Sequence, residues 1–276
     1  MLSNKDFFRS ITRVPVIVAH RGAWKQGPEN SVAALQAAIS MGCEIAEIDV
    51  QESTDGGLFL LHDDSLLRTT GYDAVARDLP IGDVVGRPLR ERDGGLSAFT
   101  TATLPRLEDV LDAVRGKIYL DVDVKYDADL PATAAAIAKA GMSKQAAIKL
   151  AIRSEADVEL LRSMERDYGV MVMPKGFFEE DTADELLQTM KRLGASVCEA
   201  SFDDINVITR RREVFRKAGI ALWANVLDPV HNCGLCDSAA LNDPDGVWGQ
   251  LVNAGISVMQ TDFPDVLAQW REKRVA

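Results

Sequence analysis

Two short stretches of this chain concentrate acid in a pattern that strand geometry would turn to one side. In Ile45-Ala46-Glu47-Ile48-Asp49-Val50 the apolar side chains hold positions 46, 48 and 50, and the carboxylates hold 47 and 49. In Ile118-Tyr119-Leu120-Asp121-Val122-Asp123-Val124-Lys125 the even positions are apolar, and Tyr119, Asp121, Asp123 and Lys125 take the odd ones. Side chains alternate faces along a strand, so each segment offers an apolar face to covering helices and a charged face to the other side. Carboxylates crowded into an interior repel one another, and each costs roughly several kcal/mol if left uncompensated. A hard cation with oxygen ligands, Mg²⁺ or Ca²⁺, is the simplest remedy. An ion-pair cluster around Lys125 is the plainer alternative, and it accounts for one such strand better than for two. Glu47, Asp49, Asp121 and Asp123 are then the carboxylates that could face such an ion.

Histidine is scarce, with three in the chain. His20 and His62 each close a short apolar run and precede a polar partner, Arg21 and Asp63. A lone histidine at a strand end is usually structural. Two of them beside a carboxylate cluster suit an acid/base pair, because imidazole titrates near neutrality. His231 falls in a separate loop and is read as non-catalytic. The nearby Cys233-x-x-Cys236 has no second pair, so it reads as two reduced thiols in a loop rather than a zinc site.

Placing these groups side by side requires a sheet. Short β-branched runs alternate with Ala- and Leu-rich amphipathic stretches, the pattern of repeated βα units. Strands are expected at 16–20, 45–50, 58–62, 118–124, 147–150, 170–173, 197–200, 222–225 and 258–260. Helices are expected at 31–41, 107–114, 131–140, 155–166, 182–193, 205–218, 244–253 and 264–272. Only Gln51 to Gly57 separates the second strand from the third, too short for a parallel crossover, and Asp55-Gly56 is a hairpin signal. The third strand should therefore fold back antiparallel. The other eight make the count of a (β/α)₈ TIM barrel in one domain spanning 1–276, with a doubly wound open sheet as the alternative. From about 63 to 104 the alternation breaks in a Gly-, Asp- and Arg-rich stretch with no long helix. Such a segment is usually a lid or a small insertion. Met171 and Met173 read as core packing, and Glu179-Glu180-Asp181 as acid favouring the start of the following helix.

The 276 residues carry 31 Lys and Arg against 42 Asp and Glu, a formal charge of −11. That balance disfavours nucleic acid and anionic lipid surfaces as partners. No run is long and apolar enough for stable membrane insertion, and four cysteines do not make a secreted disulfide framework, so a cytoplasmic protein is expected. A homo-oligomer is left open.

The ordered set His20-Arg21-Gly22, Pro28-Glu29-Asn30-Ser31, Glu47-x-Asp49, Thr54-Asp55-Gly56 and His62-Asp63 resembles the glycerophosphodiester phosphodiesterase family. Downstream, Leu104-Pro105-x-Leu107-Glu108, Asp121-Val122-Asp123-Val124-Lys125, Trp223-Ala224-Asn225 and Thr261-Asp262-Phe263-Pro264 extend the likeness. The first half of the chain is covered densely and the second by two short blocks. The resemblance implies a TIM-barrel hydrolase that uses one divalent cation on Glu47, Asp49 and Asp123, with His20 and His62 as general base and general acid. It implies a glycerophosphodiester as small-molecule substrate, cleaved to an alcohol and glycerol 3-phosphate. A substrate hydroxyl beside the phosphoester would attack first to give a cyclic phosphate. Arg21 would bind the phosphate, Lys125 would add positive charge, and Glu29 and Asn30 belong to the substrate-binding motif.

Three departures stand out. Asp123 replaces the family's usual Glu, Ser31 its usual Thr, and Ala147-Ile148-Lys149-Leu150 its common Ser-Ser-Phe. By strand parity Lys149, Glu199, Trp223 and Asn225 share the face toward the barrel mouth, and Lys149, Glu199 and Trp223 are further substrate-pocket candidates. Two alternatives remain: a lipid-directed enzyme of the lysophospholipase D type, which the polar 63–104 segment disfavours, and a barrel that binds phosphodiesters without cleaving them.

Overall fold

The computed structural model describes residues 1–12, 14–230 and 232–275. Eleven strands are present among them: β1 (Val16–Ala19), β2 (Ile45–Glu52), β3 (Leu58–Leu60), β4 (Pro88–Arg90), β5 (Phe99–Thr103), β6 (Tyr119–Val124), β7 (Ala146–Ala151), β8 (Met171–Phe177), β9 (Val197–Ser201), β10 (Ala221–Asn225) and β11 (Ile256–Thr261). The main sheet has the order β1-β11-β10-β9-β8-β7-β6-β2-β3, and β4 with β5 forms a separate ribbon. Apart from β3, the main-sheet strands are the eight parallel strands of a (β/α)₈ barrel. β3 runs antiparallel to β2, pairing Val50 with Leu60 and Glu52 with Leu58. A five-residue turn forces this reversal, with the Gly57 N–H bonded to the Ser53 hydroxyl at 2.9 Å and Gly56 at φ 83°. No helix among the described residues is long and apolar enough to cross a membrane.

The contacts divide the chain into two compact units. One comprises Ala19–Ile148 with Asp167–Val170. Here β2 and β6 pair in parallel, Glu47 opposite Asp121 and Asp49 opposite Asp123. The helix Val32–Ser40 begins where Ser31 Oγ accepts the Ala34 N–H at 3.1 Å, a standard N-cap. The insertion is not a loose loop. It contains the one-turn helices Leu67–Thr70 and Ile81–Val84 and the β4–β5 ribbon, closed over Phe59, Leu61, Leu66, Ala76, Ile81, Val84, Leu89 and Leu104. These elements are too short to leave a periodic signature, so the sequence shows only the absence of a long helix. Asp55 in the hairpin turn ties the insertion down by accepting the Ile81 N–H at 2.8 Å.

The other unit comprises Leu2–Val18, Lys149–Arg166 and the chain from Met171 onward. It opens with a helix, Asn4–Arg9, which the sequence reading leaves out, and a second such helix spans Asp237–Asn242. The expected helix over 244–253 is a π-type segment, Asp245–Gly249, running into Gln250–Ala254. Met171 and Met173 are buried, and Glu180 pairs with Arg210 and Arg211. Arg271 is buried and donates to the Pro15 carbonyl at 2.7 Å. His231 lies outside the described residues.

One backbone position tests the approach of the His20 loop to the first long helix. Gly22 has φ +75°, and a Cβ there would lie 2.8 Å from the Ala34 carbonyl carbon. Gly22→Ala is expected to lose about 2–4 kcal/mol in urea unfolding with the m-value unchanged. A loss below about 0.5 kcal/mol would contradict this packing.

Candidate active site

The site is built where β1, β2, β3 and β6 end. His20 follows β1 directly, Glu47 and Asp49 sit on β2, Asp123 on β6, and Lys125 is the first residue after β6. One carboxylate oxygen from each of Glu47, Asp49 and Asp123 lies within 4.8 Å of the others, the one cluster of three or more potential metal ligands among the described residues. Glu47 and Asp49 are each 2% exposed. Asp121, equally buried, pairs in register with Glu47 one step down the strand and is not part of the cluster.

Hydrogen bonds from the loop after β1 hold the acids in place. Glu47 Oε2 accepts the Arg21 backbone N–H at 2.8 Å, and His20 Nε2 stands 4.0 Å from the same oxygen. Asn30 clamps Asp49 from both ends: its Nδ2 donates to Oδ2 at 2.8 Å, and its Oδ1 accepts the Asp49 N–H at 2.9 Å. Arg21 and Asn30 reach these positions with φ of 51° and 53°, a left-handed conformation that costs each about 1 kcal/mol or more. Two cations face Asp49, Arg21 Nε at 3.3 Å and Lys125 Nζ at 3.6 Å. Burial pulls the Arg21 guanidinium down, but Glu29, Asp49 and Glu47 more than offset this and hold it above its ordinary value. The donor set is all oxygen and largely buried, which suits a hard divalent cation.

His62 enters from the hairpin. The Leu61 N–H donates to the Asp49 carbonyl at 3.2 Å, and Gln51 Nε2 donates to the carbonyls of Leu61 and Asp63, each at 2.8 Å. Gln51 thus fixes the backbone on both sides of His62. Nothing in its sequence position marks it, beyond a polar residue at a fully buried strand site. His62 Nδ1 lies 2.8 Å from Asp63 Oδ1. The bond from His62, followed by those from Arg68, holds the Asp63 carboxyl well below the usual range. An ionised Asp63 places the ring proton on Nδ1 and leaves Nε2 for chemistry. Glu29 is 3% exposed; it accepts from Arg21 at 3.1 Å and from Arg68 at 2.7 and 2.9 Å. The side chains of Glu29 and Asn30 therefore spend their polar atoms on Arg21, Arg68 and Asp49.

The remaining candidates gather in the second unit. Lys149, 4% exposed, lies 3.3 Å from Glu199 Oε2, donates to Gln260 Oε1 at 3.2 Å and sits 5.5 Å from the centre of the Trp223 ring. Trp223 Nε1 donates to Asn225 Oδ1 at 2.8 Å. Strand parity groups these residues, but Gln260 joins them without having been singled out in the sequence. Cys233 is exposed and Cys236 partly buried, with no disulfide between them.

Residues 20–173 match the model of the glycerophosphoryl diester phosphodiesterase family, and residues 172–271 match a domain model of unknown function. A protein named glycerophosphodiester phosphodiesterase from Caldanaerobacter subterraneus subsp. tengcongensis is 30% identical over 114 residues, 40% of this chain and 45% of that protein. The chain thus matches under half the length of such curated relatives. The crystal structure of glycerophosphodiester phosphodiesterase from Agrobacterium tumefaciens str. C58 superposes with a TM-score of 0.67 at 26% identity, over 92% of this chain and 99% of that one. A glycerophosphoryl diester phosphodiesterase from Parabacteroides distasonis reaches a TM-score of 0.78 over 99% and 93% of the two chains; at 20% identity it shows the shared fold.

Because Asp63 titrates lower in the folded than in the unfolded chain, the folded state binds fewer protons in that interval. The stability it supplies is complete above about pH 5 and drains away as pH falls below about 4. Asp63→Asn should accordingly show a shallower drop in melting temperature from about pH 5 to 2.5 than the parent protein. Identical slopes would contradict the ion pairing.

Proposed function

The chain belongs to the glycerophosphoryl diester phosphodiesterase family, and from that membership we propose that it hydrolyses a glycerophosphodiester to an alcohol and glycerol 3-phosphate. The observation that carries the reading is the Glu47–Asp49–Asp123 oxygen cluster, with Arg21 and Lys125 against Asp49 and His20 beside Glu47. Glu47, Asp49 and Asp123 would hold one Mg²⁺ or Ca²⁺, which when bound polarises the phosphoryl oxygens.

The chain's own groups supply the rest. Arg21 and Lys125 offer positive charge to the diester anion, while Glu29 and Asn30 hold Arg21 and Asp49 in place. His20 takes the proton from the substrate hydroxyl beside the phosphoester as its oxygen bonds to phosphorus. His62 gives a proton to the alkoxide as the phosphorus–oxygen bond to the alcohol breaks. Water then opens the cyclic phosphate with the two imidazoles exchanging roles. Lys149, Glu199 and Trp223 are proposed to contact substrate, with the Lys149 charge balanced by Glu199. The acidic chain fits a small-molecule partner better than nucleic acid, and cysteines without a disulfide among the described residues suit a cytoplasmic location.

A second reading gains from one observation. The insertion looks polar in sequence, yet Leu67, Tyr72, Val75, Leu96 and Phe99 are all exposed there, Leu96 completely. Arg87 and Arg90 stack on Tyr72 and Phe99 at 3.7 and 4.1 Å. Apolar and cationic groups side by side favour a diester presented by a lipid. Faster turnover of micellar lysophosphatidylcholine than of glycerophosphocholine, lost in Leu96→Ser/Phe99→Ser, would select that reading; the reverse preference would discard it.

With glycerophosphocholine and added Mg²⁺, activity should vanish in EDTA. His20→Ala and His62→Ala should each lower kcat by about 10²- to 10⁴-fold, and the pH–rate curve should be bell-shaped. Full activity in EDTA, or a single sigmoid that survives His62→Ala, would reject the mechanism.

A further inference from the structure

Arg68 belongs to none of the motifs that point to the site, yet its guanidinium joins two of the groups that serve it. It lies on the short insertion helix Leu67–Thr70. Its Nε and Nη2 donate to the two oxygens of Asp63 at 2.6 and 2.9 Å. Its Nη2 and Nη1 donate to the two oxygens of Glu29 at 2.7 and 2.9 Å. Asp63 is the partner of the His62 ring, and Glu29 is the partner of Arg21. One planar fork therefore closes a continuous chain from His62 through Asp63, Arg68 and Glu29 to Arg21.

We propose that Arg68 is a positioning residue that fixes the ring of His62 and the guanidinium of Arg21 relative to each other. This rests on the roles given above to those two residues. Asp63 and Glu29 are like charges bonded to one guanidinium; without it they repel, and the buried Glu29 keeps only Arg21. With it the two negative charges share a cationic partner, so Asp63 keeps accepting from His62 Nδ1 and, when the ring is doubly protonated, Nε2 is the nitrogen that gives the proton. Burial opposes the charge on Arg68, but the bonds to Glu29 and Asp63 outweigh burial and hold it above its ordinary value. Lysine cannot replace it, since a single ammonium does not span two carboxylates with paired bonds.

The insertion is shaped to deliver this side chain. Arg68 Nη1 also donates to the Asp93 carbonyl, and the Gly95 N–H donates to the Arg68 carbonyl at 2.8 Å. The Glu29 N–H donates to the Arg92 carbonyl at 2.8 Å, so the same strap meets both ends of the bridge. A Cβ at Gly94, whose φ is +88°, would lie 2.3 Å from the Arg68 carbonyl oxygen, so no side chain fits there. These contacts give the 63–104 segment a role beyond covering the hairpin: it supplies the group that orders the site.

The test uses the full-length protein with Mg²⁺, histidine-labelled with ¹⁵N; three histidines make assignment direct. Arg68→Gln should lower kcat about 10- to 100-fold while KM changes less than about threefold. At a pH where the His62 ring is neutral, its nitrogens should shift from a pure Nδ1–H form to a mixture of tautomers. Asp63→Asn should lose as much, the double variant no more than either single one, and Arg68→Lys should fail to restore the rate. Parent-like kcat and an unchanged His62 tautomer in Arg68→Gln would overturn the proposal, whatever the melting temperature does. Additive losses in the double variant would also overturn it. Should the parent protein cleave no glycerophosphodiester, the hydrolase reading fails, and the His62 tautomer in Arg68→Gln alone decides the bridge.

Discussion

The pairing of β2 with β6 is the constraint from which the site follows. A parallel register that sets Asp49 opposite Asp123 and Glu47 opposite Asp121 brings like charges onto neighbouring strands. Facing like charges destabilise a sheet, and burial strengthens the repulsion. The structure answers with Arg21 and Lys125 on Asp49, Asn30 gripping Asp49 from two directions, and the Arg21 N–H on Glu47. These contacts satisfy individual oxygens and still leave three carboxylates converging on a space within 4.8 Å. Side chains chosen for stability alone would not converge in this way. The proposed divalent cation would give the arrangement a physical reason.

The loops then carry His20 and His62, the proposed acid/base pair, by short, backbone-anchored routes. His20 needs only the end of β1. His62 depends on the tight turn after β2, because the returning chain bonds back through the Leu61 N–H to the Asp49 carbonyl and Gln51 pins the peptides on either side of it. The insertion contributes from the far side by holding Asp63 and Glu29 through Arg68. Left-handed residues at Arg21 and Asn30 mark where backbone strain is accepted to deliver the Arg21 N–H to Glu47 and the Asn30 amide to Asp49.

Much of this was legible from residue types because strand parity is local. Two-residue alternation in Ile45–Val50 and Ile118–Val124 announces which side chains share a face, and a seven-residue gap with Asp-Gly announces the hairpin. The barrel follows from counting the strands that remain. Arg68, Gln51 and Gln260 were not legible, since each works through a contact set by tertiary approach rather than by spacing along the chain. Within the insertion, helices of four residues and a short ribbon are held by tertiary contacts too brief to show periodicity. That Asp123 and not Asp121 converges with Glu47 and Asp49 is likewise set by the three-dimensional placement of the side chains, which parity alone leaves open.

The central claim, a divalent ion held by Glu47, Asp49 and Asp123, is tested most directly by crystals soaked in Mn²⁺ and measured at its absorption edge. The account predicts one anomalous peak at about 2.0–2.4 Å from an oxygen of each of the three side chains, absent in Asp49→Asn. A peak elsewhere, or none at a concentration that saturates binding in solution, would contradict it.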